Sequence, residues 1–306
     1  IISGMSGSPV AVDGRTIGAV AYAFSWAKAP ICGIQPIEQM LGLRERFDRR
    51  PDETDSPKAA GSQQALRGGS AYPPRWKRTL TACGAGAETR RAQETGMASV
   101  AVPASALAKA DLPTRLAGRD VYRMQPIRTP VMVSGMPQRT LDALADDLAP
   151  YGLVPMAGGG TEHDLPEVTR LEPGAPLAVP LVRGDIQMTV MGTITDVADD
   201  RVYGFGHSMF GLGEANYPMM TGRAHVVIPS LRTSFRMGAP VKEVGRLVWD
   251  EETGILGYIG KERAPMVPVS VTVTGPGKNQ KRSYASEMIR SRDMSGLLAA
   301  SAIGSG

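Results

Sequence analysis

Short apolar runs, separated every few residues by glycine or proline, limit most strongly how this chain can fold. Between Leu177 and Val273 such runs follow one another with turn-forming residues between them, which is the pattern of short β-strands joined by hairpins. The chain has 36 Gly and 24 Pro but only 5% aromatic residues, a balance that disfavours a helical bundle. We therefore predict a mainly β protein, in which these strands close a small barrel or a sandwich.

The chain has 306 residues, which is enough for about two domains with connecting material. Residues 43–95 are rich in charge, Ser, Gly and Pro and have almost no apolar periodicity, which is typical of a flexible linker. Between Pro130 and Met156 a strand pattern, a helix pattern and a second strand pattern follow one another. The predicted divisions are an N-terminal β segment (1–42), the linker (43–95), a small α/β connecting region (96–170), a β-rich domain (171–275) and a tail (276–306).

The chain opens with a turn of small residues that carries a serine, Gly4-Met5-Ser6-Gly7-Ser8-Pro9. Glycines on both sides of Ser6 allow a sharp turn that exposes the hydroxyl and points successive N–H groups at one place. A nucleophile with an oxyanion hole needs this arrangement, but an ordinary tight turn uses the same residues. The sequence of the turn leaves both interpretations open.

The residues after this turn predict a small β unit followed by a helix. Asp13-Gly14 lies between two β-type runs and is a two-residue hairpin signal. Residues 31–37 form another strand pattern, and Pro36 at the start of an apolar and polar mixture predicts a short helix that ends at Gly42.

A histidine lies between glycines at the end of a predicted strand, in Tyr203-Gly204-Phe205-Gly206-His207-Ser208. Imidazole is the usual proton acceptor for a serine hydroxyl at neutral pH, and a purely structural histidine is the alternative. Three acidic residues precede it, Asp196, Asp199 and Asp200. They are most simply hairpin turn residues, and an orienting role towards His207 is the weaker hypothesis.

The cysteines and histidines give no metal motif. Cys32 and Cys83 have neither the number of a disulfide framework nor a metal-ligand spacing, although a single disulfide remains open. The three histidines are too far apart in sequence for a local zinc motif. We expect no metal and no organic cofactor.

The charge pattern favours a solvated surface over a nucleic-acid site. The formal net charge is +4, from scattered arginines without the interleaved aromatic residues of a nucleic-acid surface. No run of eighteen apolar residues exists, so we expect no membrane span in this piece. A chain that begins Ile1-Ile2 without Met is expected to be part of a longer protein.

The serine turn and the histidine segment together resemble a known family, the SpoIVB peptidases, which are sporulation-type serine peptidases related to the trypsin-like group. Over about forty residues the family's nucleophile segment resembles Gly4 to Pro9, Asp13 to Val20 and Gly33 to Leu41. Its histidine segment resembles Gly192-Thr193-Ile194, Tyr203 to His207 and Gly254 to Gly257.

The resemblance implies a serine endopeptidase with trypsin-like β-barrel halves joined by a linker. Ser6 would be the nucleophile, His207 the general base, and the backbone N–H groups of Gly4 and Ser6 the oxyanion hole. Residues 1–42 would be the nucleophile-bearing part of a truncated peptidase domain. The acid of the family's triad precedes its serine motif and would therefore lie before Ile1.

The resemblance also implies a protein or peptide substrate, the protein itself included, and an extracytoplasmic bacterial location. The alternative is a scaffold or protein-interaction module that keeps the peptidase fold without catalysis. A nucleic-acid partner is not expected.

Overall fold

The computed structural model of the chain describes residues 1–24, 31–49, 99–103, 121–158, 170–230, 234–275 and 281–305. These residues form a mainly β protein, as the sequence predicts. The strands are β1 (Pro9–Val12), β2 (Arg15–Ala23), β3 (Cys32–Pro36), β4 (Val100–Pro103), β5 (Val121–Pro126), β6 (Thr129–Ser134), β7 (Leu153–Ala157), β8 (Pro176–Gly184), β9 (Gln187–Ala198), β10 (Arg201–Gly204), β11 (Gly213–Ile228), β12 (Phe235–Glu251), β13 (Gly254–Ile259), β14 (Met266–Thr274) and β15 (Lys281–Ile289). The helices are α1 (Ile37–Leu41), α2 (Leu43–Asp48), α3 (Gln138–Leu148) and α4 (Ser295–Ser305).

The larger of two sheets contains a ring of strands that closes on itself. Its strand order is β14-β15-β8-β11-β12-β13-β10-β9-β6-β7, and an additional pairing joins β8 to β9. Since β8 pairs with both β11 and β9, the strands β8, β11, β12, β13, β10 and β9 form a closed ring. Leu177, Val190 and Leu247 are fully buried in the main core of this sheet. A closed ring leaves no unpaired edge among its own strands.

The smaller sheet has the order β1-β2-β5-β4, and β3 pairs with β2. The β1–β2 hairpin turns at Asp13 and Gly14, whose φ angles of 50° and 75° are both positive, as a two-residue hairpin turn requires. Helix α1 follows Pro36 directly. The predicted hairpin, strand and helix start are therefore confirmed.

A second apolar cluster joins the first part of the chain to the larger sheet. Ala19 of β2, Met40 of α1 and Leu43 of α2 belong to the first part of the chain. They pack against Tyr203 of β10 and Leu256 of β13, in the larger sheet. All five side chains are buried. Burial of these apolar side chains stabilises the contact between the two sheets.

The strand–helix–strand pattern predicted between Pro130 and Met156 is confirmed as β6, α3 and β7. Its two strands lie at one end of the larger sheet. Strands β6 and β7 are parallel, with α3 between them, and β6 pairs with β9. Leu141, Leu144 and Leu148 lie at helical spacing on α3 and are buried, because this face packs against the sheet.

Two segments are more ordered than the sequence predicts. Helix α2 occupies the first residues of the predicted linker, since Leu43 is buried in the second cluster; residues 50–95 of that prediction lie outside the described residues. The predicted tail contains β15, which pairs with β14 and β8, and α4, whose Leu297 and Leu298 are buried. None of the helices in the described ranges is long and apolar enough to cross a membrane.

Candidate functional site

Ser6 lies at the junction of the two sheets. Before it, Ser3 forms a parallel bridge with Phe235 of β12, in the larger sheet. After it, the chain enters β1 of the smaller sheet at Pro9. The turn between them is thereby attached to both sheets, which fixes where its central residue lies.

Gly7 packs the serine turn directly against the end of β10. A Cβ at this position would lie 2.2 Å from the carbonyl oxygen of Thr193 and 2.5 Å from the backbone nitrogen of Phe205. The φ angle of Gly7 is +92°, which also excludes most other residues. Because Phe205 is two residues before His207, this contact brings the serine turn and the histidine segment together.

Two threonines of β9 bind the carbonyl oxygens of the turn. The Thr195 hydroxyl donates to the Gly7 oxygen at 2.8 Å, and the Thr193 hydroxyl donates to the Gly4 oxygen at 3.1 Å. The backbone N–H of Thr193 donates to the oxygen of Ser6 at 3.1 Å. These bonds fix the backbone conformation of the turn from one side.

Arg236 of β12 is a further donor to the Gly4 oxygen of the serine turn. One guanidinium nitrogen, Nη2, lies 2.6 Å from the Gly4 oxygen, 2.8 Å from the Gly192 oxygen and 3.0 Å from Thr193 Oγ1. Burial lowers the pKa of Arg236 from its ordinary value. A half-buried guanidinium that donates to several oxygens is costly to replace, because its acceptors would lose their partner.

The N–H groups of Gly4 and Ser6 have fixed directions and no acceptor within the described ranges. The Ser3 oxygen accepts the N–H of Arg236, so the Gly4 N–H, on the opposite side of the same trans peptide, points away from β12. The Met5 oxygen accepts the N–H of Ser8 at 2.9 Å and its hydroxyl at 2.7 Å, which fixes the Ser6 N–H in the same way. To bind one anionic oxygen, both N–H groups would have to point at the same place.

The loop between β10 and β11 positions His207. Phe205 and Gly206 both have φ of 66°, which turns the chain sharply. A Cβ at Gly206 would lie 2.9 Å from the Ala19 Cβ and 3.2 Å from the Ala21 Cβ, so this loop packs closely on β2. The larger sheet thus supplies the loop that carries the histidine, and β2 of the smaller sheet packs against Gly206 of this loop.

The tautomer of His207 follows from its one hydrogen bond of good geometry. Nδ1 lies 2.8 Å from the carbonyl oxygen of Ser208, and a carbonyl oxygen can only accept. In a neutral ring this bond puts the proton on Nδ1 and the lone pair on Nε2, while the Ile127 carbonyl also lies close to the ring. A general base towards a serine hydroxyl needs this tautomer, which a carbonyl rather than a carboxylate fixes here.

Burial lowers the pKa of His207 to about 4, because charging the ring inside the protein removes it from water. The backbone oxygens of Ser208 and Ile127 offset part of this effect. His207 is consequently neutral at pH 7, and Nε2 remains unprotonated.

Ser6 Oγ and His207 Nε2 are both buried without a hydrogen-bond partner among the residues that the structure describes. Ser6 is 0% exposed and His207 is 2% exposed. Buried polar atoms usually have a partner, and one without costs about 1–3 kcal/mol. The site is closed to solvent, and the hydroxyl does not donate to the imidazole.

Asp250 of β12, which sequence analysis did not identify, binds the backbone of the loop that carries His207. Oδ1 accepts the N–H of Met209 at 2.7 Å, and Oδ2 accepts those of Phe210 at 2.6 Å and Gly211 at 3.0 Å. Burial raises the pKa of Asp250 to about 6, against the effect of these three bonds. Its carboxylate holds the loop and makes no hydrogen bond to the imidazole, whose Nδ1 binds Ser208 and whose Nε2 has no partner among the described residues.

The three acids that the sequence suggested as partners of His207 lie in the β9–β10 hairpin. Asp196 pairs with Tyr203 within the β9–β10 hairpin, and Asp199 has a positive φ of 57° and an ion pair with the adjacent Arg201. Asp199 and Asp200 are turn residues of this hairpin, which is the simpler of the two interpretations, whereas Asp196 lies in strand β9. Among the described residues no group of three or more His, Cys, Asp or Glu side chains could hold a metal ion.

Asp250 and Arg236 were missed for different reasons. Asp250 belongs to a run of turn-forming residues that predicts only a hairpin, and the structure starts that turn after Glu251. Arg236 lies in a strand pattern where a charged residue is expected to face solvent. Neither sequence signal separates these residues from ordinary surface positions.

Neither the scan against family models nor the searches of curated proteins and of solved structures found a match for this chain. The resemblance to the SpoIVB peptidases therefore rests on the residues that carry it.

Proposed function

We propose that this chain carries the active site of a serine endopeptidase of the SpoIVB type, with Ser6 as nucleophile and His207 as general base. The observation that supports this most is the contact of Gly7 with Phe205, which places the serine turn beside the histidine loop although 200 residues separate them. The two segments that resemble the family's catalytic segments thus meet at one junction.

The chemistry follows from the proton positions. Nε2 of His207 would accept the Ser6 proton as the hydroxyl oxygen attacks the peptide carbonyl, and would return it to the leaving amine. The N–H groups of Gly4 and Ser6 would bind the negative oxygen of the tetrahedral intermediate. Water would then hydrolyse the acyl group from Ser6, again with His207 as base. The proposed mechanism uses no metal and no organic cofactor.

A trypsin-like arrangement of two barrel halves is part of the proposal. The closed ring β8-β11-β12-β13-β10-β9 would be the half that carries His207, and the smaller sheet would belong to the half that carries Ser6. A site between two β units is consistent with the attachment of the serine turn to both sheets. A protein or peptide substrate and an extracytoplasmic location are likewise proposed from the resemblance.

One observation favours a second function, a scaffold or protein-interaction module without catalysis. Ser6 and His207 are almost completely buried, and Ser6 Oγ makes no hydrogen bond to a described residue. A working site has to admit a carbonyl carbon within about 3 Å of the hydroxyl oxygen, so catalysis requires the junction of the two sheets to open.

Labelling with a fluorophosphonate distinguishes the two functions, because this reagent phosphonylates an activated serine. We expect the wild-type chain to be labelled, and the variants Ser6→Ala and His207→Gln to lose the label while remaining folded by circular dichroism. Ser270→Ala, at an exposed position on β14, is the control and should label as the wild type does.

Mass spectrometry of the labelled chain identifies the modified residue. A phosphonylated peptide containing Ser6 supports the peptidase. If the folded wild-type chain takes no label across pH 6–9, or takes it equally in Ser6→Ala, the peptidase proposal fails and the scaffold is favoured.

A further inference from the structure

A cavity of about 620 Å³ lies beside the candidate site, between β3, the end of β2 and the turn that joins β12 to β13. Gln35 connects the two places. Its side chain is 4% exposed and lines the cavity, and its Cβ lies 3.6 Å from the Cβ position of Gly206, the residue before His207. A group bound in this cavity would therefore lie next to the histidine loop.

A chain of hydrogen bonds forms one polar wall. The Tyr22 hydroxyl lies 3.1 Å from Gln35 Oε1, and Gln35 Nε2 donates to Gln39 Oε1 at 2.6 Å. These bonds use the polar groups that face each other, and they fix the orientation of the Gln35 amide. The wall is neutral and already hydrogen-bonded, so it does not attract a charge by itself.

The remaining walls combine apolar surface with a single charge. Ile34 and Met124 supply apolar surface, and Glu252 is the one charged residue among the described residues that line the cavity. Its carboxylate is close enough to raise the pKa of Tyr22, although burial of the phenol contributes more. Arg46 does not neutralise Glu252, since its guanidinium binds Glu251 and Thr253.

Strand β3 offers an edge along the same cavity. In the described part of the chain it pairs only with β2, so one row of its backbone groups has no strand partner. An extended peptide can bind such an edge by adding a strand, with alternate side chains directed into a neighbouring pocket.

From these observations we infer that the cavity binds a long basic side chain, Lys or Arg, of an extended peptide that lies along β3. The methylene stem would pack on Ile34 and Met124 while the cationic end approaches Glu252. The inference rests on the proposed function, because it names the substrate side chain that this peptidase would select.

Binding to the full chain carrying Ser6→Ala tests the inference without turnover. The probes are fluorescein-labelled hexapeptides that differ at one central residue, which is Arg, Lys, norleucine or Glu, and the readout is fluorescence anisotropy. We expect the Arg and Lys peptides to bind about five-fold more tightly than the norleucine peptide, and the Glu peptide to bind most weakly.

Substitutions at Glu252 assign the preference to this cavity. Glu252→Gln should abolish the difference between the basic and norleucine peptides, and Glu252→Lys should make the Glu peptide the tightest ligand. Asp146→Lys makes the same charge change at an exposed position on α3 that does not line the cavity, and it should keep the wild-type order.

The outcomes separate this inference from the proposed function. A basic preference that Glu252→Lys removes supports the cavity even if the wild-type chain takes no fluorophosphonate label. Equal binding of all four peptides, or a preference that survives Glu252→Lys, overturns the inference even if Ser6 is labelled.

Discussion

Asp250 Oδ2 accepts the backbone N–H of Phe210 at 2.6 Å, and this bond ties β12 to the loop that carries His207. The same carboxylate also accepts the N–H groups of Met209 and Gly211, so it binds three consecutive backbone amides. The acid thus acts on the backbone that carries the histidine, whereas the imidazole itself is oriented by the carbonyl of Ser208.

Replacing this carboxylate should loosen the loop. Asp250→Asn keeps the size of the side chain but puts an NH2 group against N–H donors, so we expect a loss of about 2–4 kcal/mol in the free energy of unfolding. Urea denaturation at pH 7 measures it. Asp200→Asn, at an exposed hairpin position, should change the stability by less than about 0.5 kcal/mol. Equal losses in both variants would refute the role assigned to Asp250.

His207 should make the protein less stable in acid. The folded-state pKa of His207 is about 4, below the ordinary 6.5. The stability that its neutral ring contributes is therefore fully present above pH 6.5 and is lost as the pH falls through 4. Between pH 7 and pH 4 the wild-type chain should lose about 3 kcal/mol relative to His207→Gln. The raised pKa of Asp250 makes the protein more stable as the pH falls over the same range. Since both proteins contain Asp250, this effect cancels in the comparison. A constant difference between the two unfolding free energies would contradict the burial of the ring.

The contact of Gly7 with β9 should tolerate no side chain. Gly7→Ala adds a Cβ 2.2 Å from the Thr193 oxygen at a positive φ, so we expect a loss of about 3–5 kcal/mol or failure to fold. Gly14→Ala is the matched control, since its φ of +75° is also positive but nothing lies within 4 Å of the added Cβ. It should cost about 1 kcal/mol. Thermal unfolding of both proteins gives the comparison, and similar midpoints would disprove the close packing.

Arg236 should hold the serine turn in its conformation. Arg236→Met removes the donor to the Gly4 and Gly192 oxygens, so we expect an unfolding free energy about 2–4 kcal/mol lower and slower fluorophosphonate labelling at Ser6. Arg15→Met changes the same charge at an exposed position on β2 and should leave both measurements near the wild-type values. Unchanged labelling and stability in Arg236→Met would show that the turn does not depend on this residue.

Elements that a short stretch of sequence specifies were predicted well. The Asp13-Gly14 hairpin, the start of α1 after Pro36 and the strand–helix–strand unit around Leu144 all have local signals, in turn chemistry, proline geometry and apolar spacing. The mainly β class follows from the same signals repeated along the chain.

Features that depend on distant residues were not predictable in the same way. The closure of β8 on β9, the packing of the serine turn on Thr193 and the inward direction of Asp250 depend on which strands pair, and no local pattern specifies that. The tail illustrates the same limit. Residues 276–306 were predicted as a tail that follows the β-rich domain, but β15 within them pairs with β8, and Leu298 is buried in the core.

The bonds that shape the serine turn also determine when in folding it can form. Thr195 binds Gly7 across 188 residues of chain, and Arg236 binds Gly4 across 232. Closing loops of that length costs entropy that local contacts cannot repay, so such contacts form late, after the intervening strands have paired. A chain in which β9 and β12 have not yet paired with their neighbours would therefore lack the ordered serine turn.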